Sequence, residues 1–152
     1  MKGKIFSINT SKGKGTSKVP VNEGRLVEGS GLEGDAHFGM PLREVSLLAI
    51  ESIRKQKECE KVKKSGVSLK EGDFAENITT EGMDLSKLKI GSKIRIGSGV
   101  IIQITKIGKE CHRYCSIYYK IGSCIMPKEG IFAGVIKGGI IKKGDEIEVQ
   151  ND

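Results

Sequence analysis

The sequence predicts one mainly β domain of the α+β type, in which short, mostly antiparallel strands form a barrel or a sandwich beside one main helix. Three observations lead to this fold class. The chain of 152 residues has the length of one domain. Its 21 glycines follow no fixed period, which is typical of many tight turns. After Gly66, apolar residues recur with period two in short segments, and no domain boundary is visible within residues 1–152.

The N-terminal part is predicted to hold two strands joined by a flexible loop. Residues 4–9 and 19–27 have the composition of strands, whereas residues 10–18 are rich in Gly, Ser and Lys without an apolar anchor. Backbone N–H groups of such a loop can bind phosphate. The spacing of a nucleotide-binding P-loop is absent, however, and no helix follows, so a flexible loop is the better interpretation.

One main helix is predicted around residues 42–64. Apolar residues recur there at helical spacing, and three lysines with Gly66 suit its C-terminal end. The residues of this pattern are Leu42, Val45, Leu48, Ala49 and Ile53.

The C-terminal half is predicted to consist of short strands separated by glycine turns. The clearest period-two segments are residues 90–97, 100–107, 130–136 and 146–149. Such regular spacing favours an antiparallel barrel or sandwich.

Composition and charge argue against a nucleic-acid-binding protein and against a membrane-spanning protein. The net charge of +7 is interpreted as a lysine-rich solubilising surface. Nucleic-acid binding is not favoured, because aromatic residues make up only 5% and Trp is absent. No apolar stretch approaches the roughly 20 residues that span a bilayer, and the N-terminus does not resemble a signal peptide. We therefore expect a cytoplasmic protein without membrane contact, whose four cysteines are thiols, ligands or catalysts.

The segment richest in side chains that can react or bind a metal contains three cysteines and a histidine. These residues are Cys111, His112, Cys115 and Cys124. A zinc site is one interpretation, but the spacing lacks the paired cysteines of structural zinc sites. It also fits neither haem attachment nor an iron–sulfur array. Small buried hydrophobic side chains are a further alternative, particularly for Cys124.

A reactive thiol is the other interpretation of this segment. Cys111 lies close in sequence to Lys106, Lys109, His112 and Arg113, and neighbouring cations favour the thiolate. Cys59 lies among charges on the predicted helix and is not expected to belong to a site.

Two further polar segments are candidates for ligand contacts. Residues 34–39 present Asp35 and His37 between glycines, with Arg43 following, although Asp35 could instead only cap a turn. Residues 72–82 form an irregular stretch in which Asn77, Thr79 and Thr80 could donate to an oxyanion or could only satisfy turn backbone.

Taken in order, these segments form a pattern that covers almost the whole chain. Its most specific parts are Glu-Asn-Ile-Thr-Thr-Glu-Gly at residues 76–82 and Gly-Lys-Glu-Cys at residues 108–111. The remaining parts are residues 34–37, 45–48, 88–91, 94–97, 130–133 and 138–139.

This pattern resembles the MOSC domain, named for the C-terminal part of molybdenum cofactor sulfurase. The resemblance implies a β-barrel and a single reactive cysteine, which maps onto Cys111. The family is associated with carrying sulfur or binding the molybdenum cofactor. Three departures are visible: Glu110 stands where many relatives have Pro, Cys115 and Cys124 are additional thiols, and the aminotransferase-like part that binds pyridoxal phosphate is missing.

From this resemblance we expect a stand-alone module that carries sulfur as a persulfide or binds molybdopterin, with transferase character. Cys111 is the candidate catalytic residue and metal ligand, a sulfur donor protein or a molybdoenzyme is the expected partner, and no lysine is expected to carry pyridoxal phosphate. A non-catalytic anion or metal binder using Cys111, Cys115 and Cys124, and a reductase-type accessory domain, are the alternatives. The candidate cofactor-binding residues are His37, Arg43, Asn77, Thr79, Lys109 and Arg113.

Overall fold

Seven strands close into a barrel because the first strand pairs on one side with the sixth and on the other with the last. The structure is a computed structural model that describes residues 1–11, 13, 18–58, 63–64, 69–108 and 130–150. The barrel strands are β1 (Lys2–Thr10), β5 (Val45–Ala49), β6 (Ile78–Glu81), β7 (Lys93–Ile96), β8 (Val100–Ile107), β9 (Ile131–Lys137) and β11 (Glu146–Gln150). The other elements are β2 (Val19–Val21), β3 (Glu23–Val27), β4 (Gly31–Leu32), β10 (Gly139–Lys142), the helix α1 (Ile50–Lys57) and a 3₁₀ turn at Leu85–Lys87.

The strand order around the barrel is β11, β7, β8, β9, β5, β6, β1 and back to β11. All these pairs are antiparallel except β5 and β6, which run parallel with Leu48 opposite Thr79. Strands β10, β3 and β4 form a separate small sheet, and β2 extends the edge of β1. The predicted mainly β fold with mostly antiparallel short strands is therefore confirmed.

The barrel interior is filled by the alternate side chains that period two places on one face. Aliphatic residues dominate this core and are almost completely buried. They include Ile5, Leu47, Ile78, Ile94, Ile102, Ile104, Ala133, Val135 and Ile147.

The predicted helix begins later than the sequence pattern indicates. Residues 45–49 form the strand β5, and α1 starts only at Ile50. Every residue of β5 is buried, because the strand lies between β6 and β9 and is covered on both faces. A continuous apolar run of this kind satisfies helical spacing as well as strand burial, so periodicity alone does not separate them. Cys59 lies outside the described residues, and no helix in the described part of the chain is long and apolar enough to cross a membrane.

At two other places the structure differs in detail from the sequence prediction. Residues 19–27 form two strands, β2 and β3, which separate at Asn22. Residues 78–81, which we predicted as part of an irregular stretch, form the strand β6 between β1 and β5.

Candidate functional site

Lys18, Asp35 and His37 form a buried group that we call the charged cluster. The Lys18 ammonium lies 2.8 Å from Asp35 Oδ1 and 3.3 Å from His37 Nδ1. The side chains of Lys18 and Asp35 have no solvent exposure, whereas the His37 ring keeps 11%. The cluster therefore places a full ion pair inside the protein, with the imidazole at its outer end.

Three loops that converge outside the barrel hold the charged cluster in place. Lys18 directly precedes β2, and its backbone N–H donates to the carbonyl of Gly72. Gly72 has a left-handed φ of +88°, and a Cβ there would collide with the Lys18 carbonyl, so this close approach requires glycine. From the third loop, Asp35 accepts a 3.0 Å hydrogen bond from the backbone N–H of Ser11, at the end of β1.

Asp35 is ionised in this environment. Burial alone would raise its pKa, but interactions with the His37 ring, the Lys18 ammonium and the His37 backbone N–H outweigh burial and hold the pKa of Asp35 well below its usual range. The side chain of Asn77 acts in the same direction, so Asn77 lies beside the cluster. The carboxylate is the counter-charge that allows a lysine to be buried here.

Glu76 is the centre of a second buried polar group, which also contains Asn9 and Thr79 and which we call the Glu76 network. Glu76 Oε2 accepts a 2.7 Å hydrogen bond from the Thr79 hydroxyl, which in turn accepts one from the Asn9 amide at 3.0 Å. Glu76 Oε1 has no hydrogen-bond partner among the described residues. Burial raises the pKa of Glu76 from 4.5 to about 7, and the Thr79 hydrogen bond opposes this only in part.

Asn77 ties this part of the molecule to β5. Its Oδ1 accepts hydrogen bonds from the backbone N–H and the hydroxyl of Ser46, and its Nδ2 donates to the carbonyl of Asn9. Asn77 and Thr79 are both fully buried. Their polar atoms therefore form hydrogen bonds within the protein.

Arg43 is half-buried at the start of β5. Its guanidinium lies 5.8 Å from the centre of the Phe132 ring, at cation–π distance. Among the described residues no carboxylate forms an ion pair with it, and no described contact joins it to His37. Its charge is thus held in place by an aromatic face.

A cavity of about 430 Å³ lies beside the last residue of β8, Ile107, and the first residue of β9, Ile131. Gly108 and Gly130 close this junction by a 2.8 Å backbone hydrogen bond. The lining combines an apolar floor with an acidic, hydroxyl-bearing rim. The buried apolar residues, which we call the floor, are Ala49, Met83, Leu85, Leu88 and Ile131, and the polar residues, which we call the rim, are Glu51, Ser52, Asp84 and Ser86. Ile107 also lines the cavity and is half exposed.

The rim carboxylates are held by local hydrogen bonds. Glu51 Oε2 accepts from the backbone N–H of Gly82 at 2.9 Å, which joins α1 to the end of β6. Asp84 caps the 3₁₀ turn, and hydrogen bonds from the Ser86 hydroxyl and backbone N–H lower the pKa of Asp84. Both side chains therefore present acceptors at the cavity mouth.

Of the residues selected from sequence, the structure brings His37 and Asn77 together around Asp35, while Thr79 belongs to the adjacent Glu76 network. Arg43 lies apart from them on the Phe132 ring. Their roles as cofactor contacts stay predictions. The other selected residues, Cys111, Lys109 and Arg113, lie outside the described residues, as do His112, Cys115 and Cys124.

Sequence reasoning missed Lys18 and Glu76. Lys18 stands in a loop with two other lysines, and nothing in its immediate sequence separates it from an exposed one. Glu76 was visible only as part of the segment that carries Asn77. The burial of Asp35 would have indicated that a cation must lie beside it. That burial is visible only in the tertiary structure.

Residues 34–148 match the family model of the MOSC domain. The chain belongs to the MOSC domain family. This MOSC domain is similar to the crystal structure of the YuaD protein from Bacillus subtilis, with 26% identity and a TM-score of 0.77 over 98% of this chain and 96% of that chain. No curated protein matches its sequence.

Two YiiM crystal structures share the fold of this MOSC domain. YiiM from Geobacillus stearothermophilus has 19% identity and a TM-score of 0.72, covering 98% of this chain and 75% of that one. YiiM from Escherichia coli has 21% identity and a TM-score of 0.72, covering 100% of this chain and 71% of that one. The predicted membership of the MOSC family is thus confirmed.

Proposed function

We propose that this MOSC domain is a stand-alone sulfur carrier that holds sulfur as a persulfide on Cys111 and serves the assembly of a molybdenum-type cofactor. Its activity is of the transferase type, and its partner is a sulfur donor protein or a molybdoenzyme. Family membership supports the general class. The specific assignment rests on the position of one cavity.

The cavity at the Gly108–Gly130 junction carries this proposal. Its lining includes Ile107, Gly130 and Ile131, which flank the segment that contains the cysteine. Cys111 follows Gly108 by three residues, a stretch that spans at most about 11 Å even when fully extended. A volume of about 430 Å³ is in the range of small-molecule sites. This upper limit is compatible with a Cys111 thiol that meets a small molecule bound in the cavity.

The described residues suit the chemical parts of a molybdopterin. The apolar floor suits a flat ring, and Glu51 and Asp84 on the rim can accept hydrogen bonds from ring N–H groups. Lys109 and Arg113 suit the phosphate, whereas Arg43 precedes β5 and is not among the residues that line the cavity. The bound cofactor would supply a soft metal centre, for which a cysteine thiolate is a suitable ligand.

The transfer step needs only a nucleophilic thiolate. The Cys111 thiolate attacks the outer sulfur of a donor persulfide, a new S–S bond forms on Cys111, and the old S–S bond breaks. The electron pair of that bond leaves with the donor as its thiolate, so no external oxidant is required. Sulfur then leaves Cys111 by the same exchange, with an acceptor in the place of the donor.

Mass spectrometry after incubation with a persulfide donor tests the proposal. We expect one added sulfur atom, located on Cys111, and its loss in Cys111→Ser, because a hydroxyl is not a comparable nucleophile. Cys59→Ser is the matched control and should accept sulfur like the wild type. Tightly bound zinc in protein purified without added metal, or sulfur on Cys115 or Cys124 in place of Cys111, would contradict the proposal.

A further inference from the structure

We propose that Lys18 is a positioning residue that fixes His37 as a hydrogen-bond donor through Nε2, so that His37 receives an anionic oxygen of a ligand and does not bind a metal. This site is distinct from the cavity of the proposed function, because that cavity is lined by no residue of the charged cluster. The state of the ring itself rests only on the charged cluster.

The hydrogen-bonding capacity of the Lys18 ammonium limits which nitrogen of His37 can carry a proton. The Lys18 ammonium has three N–H donors and no acceptor. Three described acceptors surround it: Asp35 Oδ1 at 2.8 Å, Ser11 Oγ at 3.2 Å and His37 Nδ1 at 3.3 Å. A proton on His37 Nδ1 would point at this ammonium inside a region without solvent. The arrangement therefore requires Nδ1 to accept.

Asp35 does not compete successfully for a proton on Nδ1. The separation of His37 Nδ1 from Asp35 Oδ2 is 3.5 Å, longer than its separation from the ammonium. Oδ2 already accepts a 3.0 Å hydrogen bond from the His37 backbone N–H. Oδ1 accepts from Lys18 and from the Ser11 backbone. The contact between the carboxylate and the ring, which contributes to the low pKa of Asp35, is thus the longer of the two contacts at Nδ1.

A neutral imidazole that accepts at Nδ1 carries its proton on Nε2. The described residues make no hydrogen bond to His37 Nε2, and this atom is not among the buried polar atoms without a partner, which are Glu76 Oε1 and Thr80 Oγ1. Because Nδ1 faces the buried ammonium, Nε2 lies on the opposite side of the ring, which keeps 11% of its surface exposed. The protein presents an N–H donor at this point.

This polarity is opposite to that of a metal-binding or basic histidine. A ligating histidine almost always donates its second ring N–H to a carboxylate or a carbonyl, which leaves the other nitrogen free for the metal. A histidine base is oriented in the same way by a carboxylate. Here the inner partner is an ammonium donor, so the outer nitrogen keeps its proton. An oxygen of a phosphate, a carboxylate or an oxo group complements it.

Long-range ¹H–¹⁵N correlation spectra of the full chain test the ring directly. The His112→Gln variant leaves His37 as the one histidine, since the chain has two. At about pH 8 we expect a protonated Nε2 and an unprotonated Nδ1, because Nδ1 accepts from the Lys18 ammonium. A proton on Nδ1 would overturn the inference. The same result is expected in Cys111→Ser, so a failure of the sulfur-carrier function would leave it standing.

The role of Lys18 is tested by Lys18→Met, with Lys2→Met on the surface as the control. Loss of the ammonium should allow Nδ1 to carry a proton toward Asp35, and the spectrum should change from one tautomer to a mixture or to the other tautomer. Lys2→Met should leave the spectrum unchanged. An unaltered His37 tautomer in folded Lys18→Met would show that Lys18 does not position the ring. If Lys18→Met does not fold, the wild-type spectrum alone decides.

Two ions used as probes separate an oxygen ligand from a metal. Inorganic phosphate should move the His37 Nε2–H resonance in a saturable way, and binding should weaken by about tenfold or more in Lys18→Met, the loss expected for one charge-assisted hydrogen bond. Zinc chloride should leave this resonance in place. No shift with phosphate, or a selective shift of Nε2 with zinc, would overturn the proposed ligand class.

Discussion

The carboxyl groups of Asp35 and Glu76 are both buried, but they have different hydrogen-bond partners. Asp35 faces an ammonium group and accepts from two backbone N–H groups. Glu76 Oε2 accepts from the Thr79 hydroxyl, the backbone of Gly72 and of Glu76 itself adds a smaller stabilisation of the carboxylate, and Oε1 has no hydrogen-bond partner among the described residues. The pKa of Asp35 is consequently held well below its usual range, while burial raises that of Glu76 to about 7.

This comparison shows that burial does not by itself decide the charge of an acid. Removal from water disfavours the carboxylate at both positions, and the number and charge of the donors determine the outcome. The charged cluster can therefore present a fixed arrangement of charge to a ligand. The Glu76 network behaves as a neutral structural element at mildly acidic pH.

The two groups make opposite contributions to stability as the pH changes. Asp35 has a lowered folded-state pKa, so its contribution is present above the ordinary value of 3.8 and is lost as the pH falls. Glu76 has a raised folded-state pKa, so its contribution is complete below 4.5 and is lost as the pH rises through about 7.

The largest effect is expected from removing the counter-charge of Asp35. Lys18→Met leaves a carboxylate buried without its ammonium partner, which typically costs about 3–5 kcal/mol of unfolding free energy. Lys2→Met removes the exposed ion pair with Glu148 and should cost about 0–1 kcal/mol. Urea unfolding at pH 7 measures both. Equal effects of the two substitutions would mean that the charged cluster is not buried as described.

The second-largest effect is expected from Glu76→Gln, which should raise the free energy of unfolding, whereas Lys18→Met should lower it. Glu76→Gln keeps the shape but removes the ionisation, so at pH 8 the variant should be more stable than the wild type by up to about 3 kcal/mol, since each pKa unit corresponds to about 1.36 kcal/mol. The difference should vanish near pH 4, where the wild-type carboxyl is also neutral. Unfolding curves at the two pH values measure it. A variant that is less stable at pH 8 would place a charged, partnered Glu76 in the folded protein.

The smallest effects on stability are expected from substitutions of two neighbouring threonines on β6, Thr79 and Thr80. Thr79→Val removes the donor to Glu76 and the acceptor of Asn9, and we expect a loss of about 2 kcal/mol, the usual cost of stranding buried polar groups. Thr80→Val removes a hydroxyl without a described partner, so we expect no loss and a gain of at most about 1 kcal/mol. Thermal unfolding of the pair at one pH measures the contrast, which would be refuted by equal losses.

The fold could be predicted where one face of a strand is buried and the other face is exposed to solvent. The prediction for residues 100–107 coincides with β8, in which buried and partly exposed residues alternate. The prediction failed for residues 45–49, since both faces of β5 are covered and the apolar run has no strand period. It also missed residues 78–81, where the polar Thr79 and Thr80 are buried by neighbours distant in sequence.

The candidate site could be predicted only in part for a similar reason. His37 and Asn77 stand in distinctive motifs, so they were found, although Asn77 bonds mainly within the protein. Lys18 and Gly72 owe their roles to a contact between two loops that are 54 residues apart in sequence. No local pattern encodes such a contact, because it depends on how the loops pack outside the barrel.

The proposed function depends on one reactive thiol among four, and site-resolved alkylation measures this most directly. Iodoacetamide rates at neutral pH should be highest for Cys111, because cationic residues adjacent to it in sequence are expected to favour its thiolate. Cys59 should react no faster than an ordinary exposed thiol. If Cys59, Cys115 or Cys124 is alkylated faster than Cys111, the assignment of Cys111 as the sulfur-carrying residue is contradicted.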